Sequence, residues 1–164
     1  MPVRKSKALK IESSVRAAIE TAYAALARRP LSELELRRKL LLRGFDVAHV
    51  EEALVRCREY GYLNDAELAK QQAAAMARER RLGDFAVSRK LESRGFSRDN
   101  VEKAVGNLDN NVDVPSEDAR ARESVAKRFH GRESERETRE KVIRFLRARG
   151  FNWEIIQNIV KGDE

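Results

Sequence analysis

The 164-residue chain has little of what enzymes and secreted proteins are commonly built from. It holds a single cysteine, Cys57, so no internal disulfide can form, which suits a reducing cytosol. Its glycines are scattered, and neither a Walker-type nor a dinucleotide-type glycine loop occurs. The two histidines, His49 and His130, are far apart and lack metal-ligand spacing. Carboxylates are plentiful, but they alternate with Lys and Arg at helical spacing, the pattern of a solvated face with intrahelical pairs. Cys57, although beside Arg56 and Arg58, reads as a small core residue. No nucleophile or acid–base pair stands out, so the chain is expected to be no enzyme and to need no cofactor or metal. Aromatics are only 6% of residues, and β-branched and aromatic residues never gather into an alternating run, so no strand is predicted. No secretory leader and no apolar membrane span are present; the expected address is the cytoplasm.

Charge and helix formers are abundant. Charged residues make up 37%, and Ala, Leu, Arg, Glu and Lys dominate. With 41% apolar residues and so few aromatics, the sequence suits several thin helical layers better than one deep core. The net charge of +7 favours an anionic partner: nucleic acid, an acidic protein surface or a nucleoprotein.

Three segments repeat: Leu36 to Phe45, Val87 to Phe96 and Val142 to Phe151 each end in Arg-Gly-Phe. Their glycines are 51 and then 55 residues apart (44, 95, 150). Counting from the glycine, position −8 is Leu36, Val87 or Val142 and position −4 is Leu40, Leu91 or Leu146, one helix face. Positions +6 (Val50, Val101, Ile156) and +10 (Leu54, Val105, Val160) form the apolar face of the next helix. The glycine predicts a left-handed C′ residue, with the phenylalanine at C″ packing on the leucine at C3. Asp46, Ser97 and Asn152 then serve as N-caps. Each repeat therefore contains a tight helix–turn–helix.

A further helix precedes each pair. Ser13 or Ser14 opens the first, Asn64 the next and Pro115-Ser116 the last. Ser32 to Glu35 and Ser134 to Glu137 read as capping boxes, and Asp84 as the cap of the middle helix of the second repeat. The expected architecture is all-α, with nine helices in three tandem three-helix repeats: a basic arm at 1–12, repeats at 13–62, 63–109 and 117–164, and a polar linker at 110–116 that reads as the most flexible hinge.

The positive charge gathers on the middle helix of each repeat. Residues 28–45 hold six Lys or Arg against two Glu, residues 78–98 seven against three acids, and residues 136–149 six against two. Residues 99–118 hold one Lys against six acids. Arg38, Arg89 and Arg144 share position −6, about 200° around the helix from position −4, and so point away from their own cores. Arg43, Arg94 and Arg149 share position −1, where a cation also suits the helix dipole. With Arg37, Lys39, Arg80, Arg81, Lys90 and Arg147 they form the candidate binding set. Tyr23, Tyr60, Tyr62 and Trp153 mostly fall at core spacing and are not read as base-stacking platforms.

From about residue 15 to 161 the chain resembles the RecX family, bacterial regulators of the RecA recombinase. The likeness is carried by Ala22-Tyr23-Ala24-Ala25-Leu26, by Arg28-Arg29-Pro30-Leu31-Ser32-Glu33-Leu34-Glu35-Leu36, and by Lys39-Leu40 with Arg43-Gly44-Phe45. Gly61-Tyr62-Leu63-Asn64-Asp65 continues it, followed by Arg78, Arg80 and Arg89 with the second Arg-Gly-Phe. The third repeat departs, with Phe145 where the others have Lys39 and Lys90. The resemblance implies an elongated, curved array that binds in the helical groove of the RecA–single-stranded-DNA filament. There it would suppress ATP hydrolysis, strand exchange and coprotease activity, as a negative regulator of recombination and the SOS response. The implied partners are the RecA filament and DNA, single-stranded and also double-stranded, with the chain a monomer. The competing expectation is a sequence-tolerant DNA-binding helical protein, for which the tight glycine turns and basic charge suffice.

Overall fold

The computed structural model describes residues 14–129 and 136–162. Among these it has nine α-helices and no strand: α1 (Val15–Leu26), α2 (Glu33–Leu42), α3 (Val47–Glu59), α4 (Asp65–Arg80), α5 (Asp84–Ser93), α6 (Arg98–Gly106), α7 (Glu117–Phe129), α8 (Arg136–Ala148) and α9 (Trp153–Lys161). The basic arm, His130 and the capping box expected at Ser134 to Glu137 lie outside the described residues and side chains. The chain forms two compact units, Met1–Asn64 and Asp65–Glu164.

In the first unit, Ser14 opens α1 by accepting from the Ala17 N–H at 3.1 Å. Ala18, Ala22 and Ala25 line its buried face, which lets α3 approach closely. The capping box at α2 is complete: Ser32 Oγ accepts from the Glu35 N–H at 3.2 Å, and Glu35 Oε2 accepts from the Ser32 N–H at 3.0 Å. Leu36, Leu40, Val50 and Leu54 are buried in one core with Phe45 and Cys57. Each large aliphatic side chain so buried contributes about 1.5–3 kcal/mol. Burial also pushes the Cys57 thiol pKa up, leaving the inert core residue its sequence suggests. At the end of α3, Gly61 turns left-handed (φ 72°), which brings Tyr62 edge-on to Tyr23 at 5.1 Å.

The three Arg-Gly-Phe turns are alike. Gly44, Gly95 and Gly150 have φ of 87°, 86° and 77°. The following phenylalanine N–H donates to the carbonyl of Leu40, Leu91 or Leu146 at 3.4, 3.3 and 3.2 Å. The glycine N–H donates to the carbonyl of Leu41, Glu92 or Arg147 at 2.9, 2.8 and 3.0 Å. This pair of bonds is the Schellman motif. Phe45, Phe96 and Phe151 are each buried in the same core as the leucine expected beneath them. Ser97 and Asn152 cap through their side chains. Asp46 takes the N-cap position of α3 without a side-chain cap bond; its carboxylate lies 3.9 Å from His49 Nδ1 instead.

The second unit contains two cores, one under α4–α6 and one under α7–α9. Within the segment 110–116 read as a flexible hinge, Val114 is buried in the core of α4–α6, beside Leu108 just before the segment, while Val112 is exposed. Asn111 ties it locally, its carbonyl accepting from the Val114 N–H and its Oδ1 from the Asp113 N–H, both at 3.0 Å. Polar composition signalled a turn there, and Val114 anchors the turn to the core.

The start of α5 corrects a second expectation. Asp84 is the first helical residue; the N-cap is Gly83, which has no side chain to cap with. The free N–H groups at this helix start are satisfied from the third repeat. Gly83 N–H donates to Arg149 O at 3.0 Å, Phe85 N–H to Gly150 O at 3.1 Å, and Asp84 N–H to Glu117 Oε1 at 3.0 Å. The open carbonyls at the end of α8 thus meet the open amides at the start of α5, two sets of orphan groups completing each other. Glycine is required here because a Cβ on Gly83 would overlap Gly150 O, and one on Gly150 would overlap the Ala86 backbone.

Candidate functional site

The joint within the second unit accounts for several of the charged candidates. Arg120 of α7 is fully buried. Its Nη1 donates to Leu82 O at 2.6 Å, its Nη2 to Asp84 Oδ1 at 2.8 Å and its Nε to Ser116 O at 3.4 Å. Glu117 also accepts from the Asn152 N–H at 3.3 Å, and its pKa is raised chiefly by burial. Arg149 donates to the carbonyls of Arg80 and Arg81 and lies 5.4 Å over the Phe145 ring. Burial, then the nearby charge of Arg81, lowers its pKa. Arg81 pairs with Glu123 at 2.8 Å. Arg81 and Arg149 therefore serve the joint between repeats. Phe145, the departure from lysine, packs edge-on against Phe129 of α7 at 5.6 Å and so belongs to the third core.

The remaining candidates face solvent to different degrees. Arg38, Arg89 and Arg144 are exposed in all three repeats, as their helical position requires. On α2, Arg37 is held by Glu33 at 3.3 Å and by Glu51, Lys39 is half-buried, and Arg43 is exposed as the C-cap. Arg80, Lys90 and Arg94 converge on one cleft of about 420 Å³ between α4 and α5, where Arg94 also donates to Gln72. On the other side of α5, Arg89 and Arg147 line a cleft of about 450 Å³ with Phe85 and Trp153. Arg147 continues into an adjoining cleft of about 350 Å³ with Arg144. Helix α5 is thus a ridge with basic clefts on both flanks.

Two contributors escaped the sequence reading. Trp153 is 50% and Phe85 61% exposed, so neither is a core residue. Tyr60 and Tyr62, also expected mostly at core spacing, are exposed as well. The repeats themselves carried the missing signal. Position +3 is Val47, Arg98 or Trp153 and position −10 is Leu34, Phe85 or Glu140; the one charged residue at each shows that the position can face solvent. Among the described residues no cluster of His, Cys, Asp and Glu could hold a metal ion, and no helix is long and apolar enough to cross a membrane.

Three helix–turn–helix repeats, basic exposed faces and shallow clefts define a tandem helical-repeat binding protein. Known proteins agree in detail. The family description "RecX, first three-helix domain" matches residues 18–57, and "RecX, third three-helix domain" matches residues 116–160. Regulatory protein RecX of Deinococcus radiodurans is 34% identical over 145 residues, 88% of this chain and 67% of that one. Regulatory protein RecX of Vibrio vulnificus is 32% identical over 140 residues, 84% of this chain and 87% of that one. The crystal structure of RecX from Lactobacillus salivarius shares the fold, with a TM-score of 0.76 at 18% identity, over 90% of this chain and 94% of that one. The chain belongs to the RecX family of regulatory proteins.

Proposed function

We propose that this chain is a negative regulator of homologous recombination and the SOS response, acting as a cytoplasmic monomer in the groove of the RecA–single-stranded-DNA filament. Bound there, it inhibits ATP hydrolysis, strand exchange and coprotease activity. The observation that carries the reading is the recurrence of one exposed arginine, Arg38, Arg89 and Arg144, at the same place on each repeat of a RecX-family chain. Repetition of a cation suits a repetitive anionic partner. Modest contacts from linked repeats add through effective concentration, so none need be strong alone. The mechanism is steric and electrostatic: the repeats occupy the groove, bridge protomers and bar a second DNA.

The test is the rate of RecA's DNA-dependent ATP hydrolysis as the protein is titrated in, with DNA in excess over recombinase sites. The parent chain should abolish hydrolysis at levels well below RecA. The triple variant Arg38→Glu, Arg89→Glu, Arg144→Glu should keep its helicity and melting temperature and lose most of the inhibition. Full inhibition by the folded triple variant would end the assignment to these arginines. Unchanged hydrolysis with the parent, together with tight, salt-sensitive binding to bare DNA, would transfer the chain to the DNA-binding reading.

A further inference from the structure

The cleft beside α5 brings together two kinds of side chain that the fold does not need there. Phe85 and Trp153 expose flat aromatic surface, 61% and 50% respectively, although both stand next to a well-filled core. Arg89 and Arg147 supply its charge, and among the described residues no carboxylate lines the cleft. Neither guanidinium makes a hydrogen bond or ion pair among the described residues. Arg147 lies 6.0 Å over the Trp153 ring, a cation–π distance that steadies the indole. The lining then runs on: Arg147 is shared with the neighbouring cleft, which Arg144, Ile143 and Glu140 also line.

We infer that this surface is a stacking site for single-stranded nucleic acid, with bases on Trp153 and Phe85 and phosphates along Arg89, Arg147 and Arg144. Exposed aromatic rings combined with a cationic track are what sequence-tolerant single-strand binding requires, because every base has a π-face and every linkage a charge. An acidic peptide is the other polyanion to consider. An apolar peptide anchor gains its energy from a desolvated pocket, whereas both rings here stay half or more in water. The inference deepens the proposed function by locating a contact with the DNA strand on this cleft, and it rests on that reading only for its biological setting.

Trp153 is the chain's one tryptophan, so its fluorescence reports the site directly. Full-length protein is titrated with oligothymidylate of about twenty nucleotides, without recombinase, so the outcome is independent of RecA inhibition. Stacking should quench the emission strongly. With three phosphates neutralised, raising salt from 50 to 200 mM should weaken binding roughly 20-fold, from a slope near −0.7 per phosphate. Phe85→Ala should weaken binding at least about fivefold, the low end of the loss from removing one stacking ring. Arg89→Glu with Arg147→Glu should weaken it further. Phe85, Arg89 and Arg147 are exposed, so these variants should melt like the parent. Inorganic polyphosphate should bind weakly and leave the emission unchanged. Binding without quenching, equal binding of polyphosphate, or unchanged affinity in Phe85→Ala would each overturn the proposal. So would loss of RecA inhibition in the cleft variants with oligonucleotide affinity intact, which would make the cleft a protein-docking site.

Discussion

Arg120 offers the sharpest check on how the second and third repeats are joined. Its guanidinium is wholly buried, and it crosses from α7 to bond Leu82 O and Asp84 Oδ1, both at the start of the second repeat's middle helix. Replacing it with methionine keeps most of the packing volume and deletes the charge. The two hydrogen bonds that cross the joint are lost, each contributing about 1.5–3 kcal/mol, together with the longer bond of 3.4 Å from Nε to Ser116 O within α7's own repeat. Water offsets part of this at Asp84, whose side chain is 27% exposed. Leu82 is buried, so its carbonyl loses its partner without that relief. The expected cost is about 3–4 kcal/mol, within the range for breaking one side of a buried pair. A unit of this size has only roughly 5–15 kcal/mol of stability in all.

The assay is urea unfolding followed by Trp153 fluorescence, which reports the third repeat, and by far-UV circular dichroism, which reports every helix. In the parent the two signals should coincide over the second unit; in Arg120→Met the fluorescence midpoint should fall first, because the clamp that couples the repeats is gone. A double-mutant cycle with Asp84→Asn isolates the pair, and a coupling of about 1.5 kcal/mol or more is expected. Costs that add to within about 0.5 kcal/mol would refute the reasoning, because residues that share no interaction behave in that way.

Two further tests address the same joint. Gly83→Ala places a methyl group against the Gly150 carbonyl, which is backbone and cannot swing aside, so about 2–3 kcal/mol should be lost in a urea titration; Gly106→Ala, at a helix end with nothing near the new methyl, should be neutral or stabilising by about 0.4–1 kcal/mol, and equal effects at both sites would remove the case for close backbone packing. Glu123 is held at a pKa of about 2, against an ordinary value of 4.5, first by its hydrogen bond with Arg81 and then by that with Lys127; its contribution is therefore complete above pH 4.5 and lost as pH falls toward 2, so the parent should lose melting temperature more steeply over that window than Glu123→Gln, the difference shrinking in 0.5 M salt. Parallel slopes for the two proteins would dismiss the pair. Glu117, with its pKa raised by burial, works in the opposite sense, which is why the comparison is made against the variant and not read from the parent alone.

Much of the fold is legible because each repeat states its own local rules. The glycine at each turn, the leucine four before it and the phenylalanine after it specify a Schellman cap without reference to anything distant, and all three form. What escaped was tertiary. Aligned on the turns, Gly83 sits where Ser32 caps α2, so the repeat itself places the N-cap at Gly83 and not at Asp84. Why a glycine should replace a serine there is visible only once Gly150 is seen against it and Glu117 is seen supplying the capping oxygen from 33 residues away. Arg120 had no signal at all: a buried arginine in a charged helix looks in sequence like any solvated one.

The same logic divides the basic residues. Composition put them on the middle helices and periodicity turned position −6 outward, and both hold, because both are properties of a single helix. Position −1 cannot be settled that way, since the end of one helix is where another repeat can dock. Arg43 is left exposed, Arg94 reaches Gln72 across its own repeat, and Arg149 is drawn into the joint, although all three occupy one place in the pattern. A charge that must satisfy open backbone carbonyls is not free to meet a partner. The surface available for binding is therefore the set of basic residues minus those the repeats spend on each other, and on the flank of α5 toward the third repeat that leaves Arg89, Arg144 and Arg147 beside two exposed rings.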